Sequence, residues 1–263
     1  MTRLEEDTIL VARDANVATV TLNRPHKLNA LTKAMWRGLG SAVADLSADA
    51  GLRCIIVRGA GERAFSPGND IGEFARERAN REQARAYGAV MHATAGALAE
   101  CPVPLVAQIH GICVGGGLEI AALCDIRICG ESSRFGAPIK NLGLVMAYAE
   151  MAPLLRLAGE AVALEMLLEG RLFDAAEARA KGLVTRVVPD DQVAIEASAT
   201  AARIAEGAPL SARWHKKFAR RLANPAPMSA AEADECFACF DTEDFREGYA
   251  AFLEKRKPQF RGR

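Results

Sequence analysis

Short apolar segments bounded by glycine, proline and polar residues recur through the first part of the chain. Segments of this kind, rich in β-branched side chains, are typical of strands buried in a sheet. The stretches between them carry apolar residues at helical spacing. The pattern predicts strands near 9–12, 17–22, 52–58, 105–110 and 126–129, and helices over 32–47 and 73–100. Strands that alternate with helices indicate an α/β fold.

The pattern changes after residue 190, where strand-like segments give way to a series of helix-like segments. Prolines interrupt this series, and the predicted helices cover 192–206, 210–222, 230–240 and 242–255. The chain is therefore predicted to contain an α/β core over residues 1–190 and a C-terminal helical region over residues 191–263.

A glycine-rich turn, Gly115-Gly116-Gly117, lies between a predicted strand and an apolar segment that is compatible with a helix. The first N–H groups of a helix have no partner within it, and the helix dipole favours negative charge there. Such a turn can receive an oxyanion. Glu119 follows Gly116 at helical spacing, where a carboxylate can transfer a proton next to a polarised carbonyl. A close-packed turn with a surface glutamate is the alternative interpretation.

A second loop, Ser66-Pro67-Gly68-Asn69-Asp70, follows the strand predicted at 52–58 and precedes a helix expected to start near Ile71. This junction also leaves N–H groups exposed at a helix start. Two junctions of this type can supply two donors that converge on one carbonyl oxygen. An ordinary turn in which Asp70 caps a helix would have the same composition.

Three motifs occur in order along the chain: Leu22-Asn23-Arg24-Pro25-His26-Lys27-Leu28-Asn29-Ala30-Leu31, Ala64-Phe65-Ser66-Pro67-Gly68-Asn69-Asp70-Ile71 and Gly115-Gly116-Gly117-Leu118-Glu119. Together they resemble the crotonase superfamily, whose best-known members are enoyl-CoA hydratases and isomerases. The resemblance continues through 124–127 and 135–138 to 247–256 and covers nearly the whole chain. It implies a crotonase-like ββα spiral core with a C-terminal helical trimerisation region, in a homotrimer or a dimer of trimers.

The resemblance also implies roles for particular residues. The backbone N–H groups of Asn69 and Gly116 would form an oxyanion hole for an acyl-CoA thioester, with Glu119 as the acid/base. Coenzyme A would belong to the substrate, so neither a bound cofactor nor a metal is expected. The residues implied in CoA binding are Arg24, His26, Lys27, Leu28, Ala64 and Phe65, with Phe252 and Lys255 from a neighbouring subunit.

One position departs from the hydratase pattern. Hydratases of the family carry a second glutamate directly after a Phe-Gly-x-Pro motif, whereas Phe135-Gly136-Ala137-Pro138 is followed here by Ile139, which cannot transfer a proton. Ala147 occupies the position at which some dienoyl-CoA isomerases carry an acid. Three polar residues near Ile139 could replace the missing acid: Lys140, Tyr148 and Glu150. Glu150 is predicted to be a surface residue at a helix N-terminus.

The chain has 263 residues, of which 50% are hydrophobic, and a formal net charge of +0. This length allows one large domain or two small ones, and the charge balance argues against nucleic acid as a partner. No apolar run is long enough to cross a membrane, and the acidic N-terminus has no signal-peptide pattern. A cytoplasmic location is therefore predicted. Seven cysteines without a regular framework indicate reduced thiols.

The resemblance favours an enoyl-CoA hydratase-like lyase of fatty acid metabolism. Because Ile139 replaces the second family glutamate, three reactions with a single acid stay open: enoyl-CoA isomerisation, acyl-CoA decarboxylation and thioester hydrolysis. A protein that binds acyl-CoA with little catalysis is the alternative from another class. The acyl group of the substrate is not specified by the sequence.

Overall fold

The computed structural model describes residues 7–263 and shows a mixed α/β fold. The acidic N-terminus, which carries no signal-peptide pattern, lies almost entirely in residues 1–6, outside the described residues. The strands are β1 (Ile9–Asp14), β2 (Val17–Leu22), β3 (Cys54–Gly59), β4 (Ala64–Ser66), β5 (Leu105–Ile109), β6 (Ile112–Val114), β7 (Ile126–Gly130), β8 (Arg134–Gly136), β9 (Phe173–Asp174) and β10 (Arg186–Val188). The α-helices are α1 (Lys33–Ser47), α2 (Phe74–Glu77), α3 (Arg81–Glu100), α4 (Gly116–Leu123), α5 (Tyr148–Glu169), α6 (Ala175–Ala180), α7 (Val193–Ala205), α8 (Pro209–Leu222), α9 (Ala230–Asp234) and α10 (Glu243–Glu254).

The larger sheet has the strand order β1-β2-β3-β5-β7-β10. Strands β1 and β2 are antiparallel, and the other neighbouring pairs are parallel. Parallel strands covered on both faces are continuously apolar, and β5 is accordingly buried at every residue. The five strands predicted from the sequence all lie in this sheet and are confirmed, with small shifts at their ends.

The smaller sheet has the order β4-β6-β8-β9, in which β4, β6 and β8 are parallel. Each of these three strands follows a strand of the larger sheet in the chain, and a helix or a 3₁₀ turn comes next. This repeated strand-strand-helix order is the predicted ββα spiral. It places the loops after β4 and β6 side by side. The three strands were not predicted, because segments this short carry no periodic pattern.

The prediction of one helix over 73–100 is wrong. The chain leaves the helical conformation at Arg78, between α2 and α3. Asn80 then adopts an extended backbone conformation, and its side chain accepts the Gln83 N–H at 2.9 Å. This contact caps α3, because it satisfies one of the free N–H groups at the helix start. The predicted helix 230–240 is likewise divided, into α9 and the 3₁₀ helix Glu235–Asp241.

Helix α5 is interrupted at Gly159, whose φ of 78° and ψ of 169° lie outside the helical region. The helix therefore consists of two parts that meet at this glycine. A glycine fits here because it accepts positive φ without a steric penalty. The first part begins at Tyr148 and includes Glu150.

The C-terminal helices contact the core at defined points. Ala197 and Ala201 of α7 pack with apolar residues of the larger sheet. Lys216 of α8 is buried, and its Nζ lies 2.6 Å from Asp125 Oδ2 and 2.6 Å from the Val103 carbonyl oxygen. Helix α10 exposes a series of apolar side chains: Phe245, Tyr249, Phe252 and Leu253. No helix in residues 7–263 is long and apolar enough to span a membrane.

Candidate active site

Two loops meet at the carboxyl ends of β4 and β6. Gly68 in the first loop has a φ of 97°, a conformation that residues with side chains rarely adopt. A β-carbon at Gly68 would lie 2.9 Å from the Gly116 nitrogen and 3.1 Å from the Val114 carbonyl oxygen. The two loops therefore approach each other to a distance that only glycine permits.

Two backbone donors at this junction are unpaired. The N–H groups of Asn69 and Gly116 make no hydrogen bond to any acceptor within residues 7–263. Gly115, with φ 51° and ψ −123°, turns the chain immediately before α4 and donates its own N–H to the Gly136 carbonyl at 2.9 Å. Gly116 then begins the helix, where an N–H group has no acceptor within the helix itself. These are the two donors that the resemblance implies for the oxyanion hole.

The indole of Trp36 holds the side chain of Asn69. Its Nε1 donates to Asn69 Oδ1 at 2.6 Å. Main-chain hydrogen bonds of 2.8 Å, from Leu31 to Gly68 and from Asp70 to Leu31, fix the same loop. The sequence did not indicate this contact, because a buried tryptophan on the apolar face of α1 has the appearance of any core residue.

Glu119 lies in the first turn of α4 and lines a cavity of about 150 Å³. Gly68, Asn69 and Gly116 line the same cavity, which is called the Glu119 cavity below. Most of its remaining wall is apolar and comes from Ile71, Phe74, Met91, Val114, Ile139, Leu142, Leu144 and Val145. The structure thus brings together the three residues predicted to be catalytic, whose chemical roles stay predictions.

The pKa of Glu119 is raised to about 8, chiefly because burial disfavours the charged carboxylate. The negative charge of Glu150 raises this pKa further, and the positive charge of Arg78 opposes the increase. A carboxyl group with a pKa of about 8 retains its proton at neutral pH and can deliver it to a substrate. Partial burial in a cavity also excludes the alternative of a surface glutamate.

Glu150 lines the Glu119 cavity, so its prediction as a surface residue is wrong. Its side chain, in the first turn of α5, is only 14% exposed. Oε2 accepts the Ala147 N–H at 3.0 Å, and Oε1 lies 3.3 Å from Nε2 of His92 on α3. Ile139 adds only apolar surface to this cavity.

The other two polar residues considered as replacements for the missing acid point elsewhere. Tyr148 is 95% exposed. Lys140 is exposed, and its aliphatic chain packs against Gly170. Neither lines the Glu119 cavity. Of the three candidates, Glu150 alone lines the cavity that Glu119 lines. The sequence did not single it out, because a glutamate in a first helical turn is common for reasons of helix stability.

The first group of predicted CoA-binding residues precedes α1. His26 and Lys27 are exposed in the 3₁₀ turn Pro25–Lys27, and Leu28 follows with a φ of 53°. Arg24 differs from them, because its Nη1 lies 3.0 Å from Asp70 Oδ2 and also donates to a backbone carbonyl. Its side chain thereby joins this turn to the loop that carries Asn69.

The remaining predicted CoA-binding residues lie apart from this turn. Ala64 and Phe65 on β4 are only 1% exposed, backbone included, so neither residue offers appreciable surface to a ligand in this conformation. Phe252 on α10 is 81% exposed, and Lys255 ends that helix with a φ of 56°. Neither lines the Glu119 cavity of its own chain. Their roles toward CoA stay predictions.

Comparisons with known proteins show which family the chain resembles. A sequence model of the enoyl-CoA hydratase/isomerase family matches residues 12–263. The chain is 40% identical over 256 residues to the probable enoyl-CoA hydratase of Mycobacterium tuberculosis, which covers 97% of this chain and 98% of that protein. It is 32% identical to the short-chain-enoyl-CoA hydratase of Clostridium acetobutylicum, over 97% of each chain.

Solved structures show the same likeness. An enoyl-CoA hydratase/carnithine racemase from Magnetospirillum magneticum is similar with a TM-score of 0.96 and 54% identity, over 98% of this chain and 97% of that one. An enoyl-CoA hydratase from Bacillus anthracis is similar with a TM-score of 0.90 and 31% identity, over 98% and 100%. The fold and these similarities define a protein of the crotonase superfamily. Within it, the chain belongs to the enoyl-CoA hydratase/isomerase family.

Proposed function

We propose that this protein is an acyl-CoA enzyme of the enoyl-CoA hydratase/isomerase type, which stabilises a thioester enolate. The observation that supports this proposal is the placement of two unpaired N–H groups, from Asn69 and Gly116, beside Glu119 at one cavity. A thioester oxygen bound between the two donors would be stabilised as negative charge develops on it. Removal of one such donor in other enzymes slows the reaction by about 10²–10³-fold.

Glu119 is the proposed acid/base of this reaction. Its raised pKa keeps the carboxyl protonated at neutral pH, so that it can deliver a proton to the α-carbon of the enolate. In the reverse direction the ionised carboxylate would remove that proton. General acid–base catalysis of this kind contributes about 10²–10⁴-fold to rate.

The CoA part of the substrate is proposed to bind across two subunits. His26 and Lys27 are exposed next to the loop that carries Asn69, and Lys27 offers positive charge to the CoA phosphates. Phe252 and Lys255 would come from a neighbouring subunit of a homotrimer or a dimer of trimers. The exposed apolar side chains of α10 support this assembly, because such surfaces usually pack against a partner.

A reaction with a single acid is the second candidate, and Ile139 favours it. This side chain lines the Glu119 cavity at the position where hydratases carry their second glutamate, and it cannot transfer a proton. Double-bond isomerisation, decarboxylation and thioester hydrolysis would each use the two N–H donors. Binding of acyl-CoA with little catalysis is a third outcome, against which the glycine turn together with Glu119 argues.

The test is to incubate the purified protein in deuterated water with a panel of 2-enoyl-, 3-enoyl-, malonyl-type and aryl-CoA esters. Mass spectrometry of the products then distinguishes the reactions. Hydration raises the mass of the ester by one water, whereas isomerisation changes the mass only by the deuterium that is incorporated. Loss of carbon dioxide identifies decarboxylation, and release of free CoA identifies thioester hydrolysis.

Glu119→Gln is the control variant, because the amide keeps the size of the side chain and loses the acid. We expect water addition to at least one 2-enoyl-CoA by the unaltered protein and none above background by the variant. Tight binding of CoA esters without any turnover across the panel would overturn the proposal and support the binding function.

A further inference from the structure

A second carboxyl group lines the same cavity as Glu119 and comes from a different element of the fold. Glu119 is on α4 and Glu150 is on α5, and both line the Glu119 cavity. We propose that Glu150 is the second catalytic carboxyl group of this site and takes the proton from the attacking water, while Glu119 delivers the α-proton. This inference rests on the proposed function and specifies its reaction as hydration.

The Glu150 carboxylate is held by contacts on both oxygens. Oε2 accepts the Ala147 N–H at 3.0 Å, and Oε1 lies 3.3 Å from His92 Nε2. A carboxylate oxygen has more than one acceptor site, so each oxygen can still accept a hydrogen bond from water. The two contacts come from the start of α5 and from α3, which leaves the side chain few alternative rotamers. Glu150 is therefore fixed toward the cavity, and His92 is a positioning residue.

The electrostatics of the pair assign different roles to its members. Two carboxyl groups that share a cavity do not both ionise easily, so one of them holds a proton at a pH where the other is charged. The pKa of Glu119 is raised to about 8 by burial and by the charge on Glu150, against the opposing charge of Arg78. Glu119 is thus assigned as the proton donor, and Glu150 as the proton acceptor.

The reaction balances with these two groups and one water. Glu150 takes a proton from water while the water oxygen forms a bond to the β-carbon of the 2-enoyl thioester. The electron pair of the double bond moves to the thioester oxygen, between the N–H groups of Asn69 and Gly116. The enolate then collapses, and the α-carbon takes the proton of Glu119. Release of the proton from Glu150 and uptake by Glu119 restore the starting state, and the net change is the addition of one water.

This assignment accounts for the loss of the usual acid at Ile139. The cavity wall supplied by Ile139 is apolar, whereas the adjacent wall supplied by the start of α5 carries a carboxylate. The second acid has therefore moved from the loop after β8 to α5, and the requirement for two carboxyl groups is still met.

The experiment compares Glu150→Gln with Glu160→Gln in the full-length protein. Glutamine keeps the length of the side chain and an oxygen that accepts the Ala147 N–H, so the fold of the helix is preserved. Glu160 is an exposed glutamate on the same helix, and its replacement controls for loss of charge there. Hydration of 2-enoyl-CoA is followed by loss of the enoyl thioester absorbance. We expect kcat to fall by about 10²–10⁴-fold in Glu150→Gln and to stay unchanged in Glu160→Gln.

A second measurement separates the two carboxyl groups. Exchange of the α-protons of a saturated acyl-CoA with deuterated water needs Glu119 and the two N–H donors, and it needs no water attack. Measured well above pH 8, where Glu119 is ionised, this exchange should persist in Glu150→Gln and disappear in Glu119→Gln. Retained hydration in Glu150→Gln, or simultaneous loss of exchange and hydration, would overturn the assignment.

His92 provides an independent readout. Replacement of His92 by alanine should lower kcat by about tenfold with little change in KM, because a lost hydrogen bond misorients the base without removing a substrate contact. His92→Gln should restore much of kcat, since its amide can donate to Glu150. Equal rates in all three proteins would remove His92 from the proposal. If the unaltered protein hydrates no 2-enoyl-CoA while it turns over another ester of the panel, the proposed hydratase reaction itself fails.

Discussion

Replacement of Gly68 by alanine tests whether the close approach of the two loops controls catalysis. The added β-carbon would lie 2.9 Å from the Gly116 nitrogen, whereas ordinary contacts begin at 3.4 Å. The loops must therefore separate by roughly half an ångström, which displaces the Gly116 N–H from a bound oxyanion. Gly61→Ala is the matched control, because Gly61 also has positive φ, at 73°, but its β-carbon would meet nothing within 4 Å.

Both substitutions should cost stability, since an alanine in this conformation is strained by about 1–3 kcal/mol. The rates should differ. The loss of one oxyanion donor slows other enzymes by about 10²–10³-fold, so we expect a fall in kcat of about 10²-fold in Gly68→Ala and less than about threefold in Gly61→Ala.

The assay combines steady-state kinetics on the most active acyl-CoA ester with thermal unfolding and CoA-ester binding at one protein concentration. Unfolding identifies a variant that has simply lost its fold, and kinetics are compared only between folded proteins. A folded Gly68→Ala protein with the same kcat as Gly61→Ala would refute the reasoning, because the two N–H groups would then tolerate displacement.

Three further substitutions test other parts of the structure. The folded-state pKa of Glu119, about 8, lies above its ordinary value of 4.5, so its contribution to stability is complete below pH 4.5 and is lost as pH rises toward 8. The free energy of unfolding of Glu119→Gln, measured in urea, should therefore rise relative to that of the unaltered protein as pH increases over this range, by about a few kcal/mol. A difference between the two proteins that does not change with pH would contradict this. Trp36→Phe removes the 2.6 Å hydrogen bond to Asn69 and should lower kcat by about tenfold, and an unchanged kcat would show that the backbone alone holds the loop. Lys216→Ala breaks a buried ion pair and should lower the free energy of unfolding in urea by about 3 kcal/mol. Lys217 is the exposed neighbour, and Lys217→Ala should cost less than about 1 kcal/mol. Equal effects of the two substitutions would contradict the burial argument.

Five of the six strands of the larger sheet could be predicted because each is a largely apolar segment of five or six residues, whereas β10 has three residues and was missed. Strand β5, buried at every residue, is an example of a pattern visible in the sequence. The short strands of the smaller sheet could not be found this way, because three residues show no period. Their positions depend on pairing between segments distant in the chain, such as Ala64 with Ile112.

The glycine turn and Glu119 could be located in the sequence because glycine clusters and a first-turn carboxylate have local causes. Glu150 and Trp36 could not be assigned, since each depends on a contact with a residue far away in the chain. His92 and Glu150 lie 58 positions apart, and Trp36 and Asn69 lie 33 apart. Nothing in the local sequence of α5 distinguishes a glutamate that enters a cavity from one that only stabilises a helix start.

The break in α5 at Gly159 has a consequence for how enzymes of this architecture can be redesigned. The N–H groups of Asn69 and Gly116 belong to the loops after β4 and β6, whereas Glu150 belongs to the helical segment 148–158, which ends at Gly159. Four residues of this helical segment and of the loop before it line the Glu119 cavity, and their substitution leaves the two N–H loops unchanged in sequence: Leu142, Leu144, Val145 and Glu150. A library confined to these four positions would therefore vary the proposed second carboxyl group and the cavity wall beside it, while Glu119 and the two N–H donors stay unchanged.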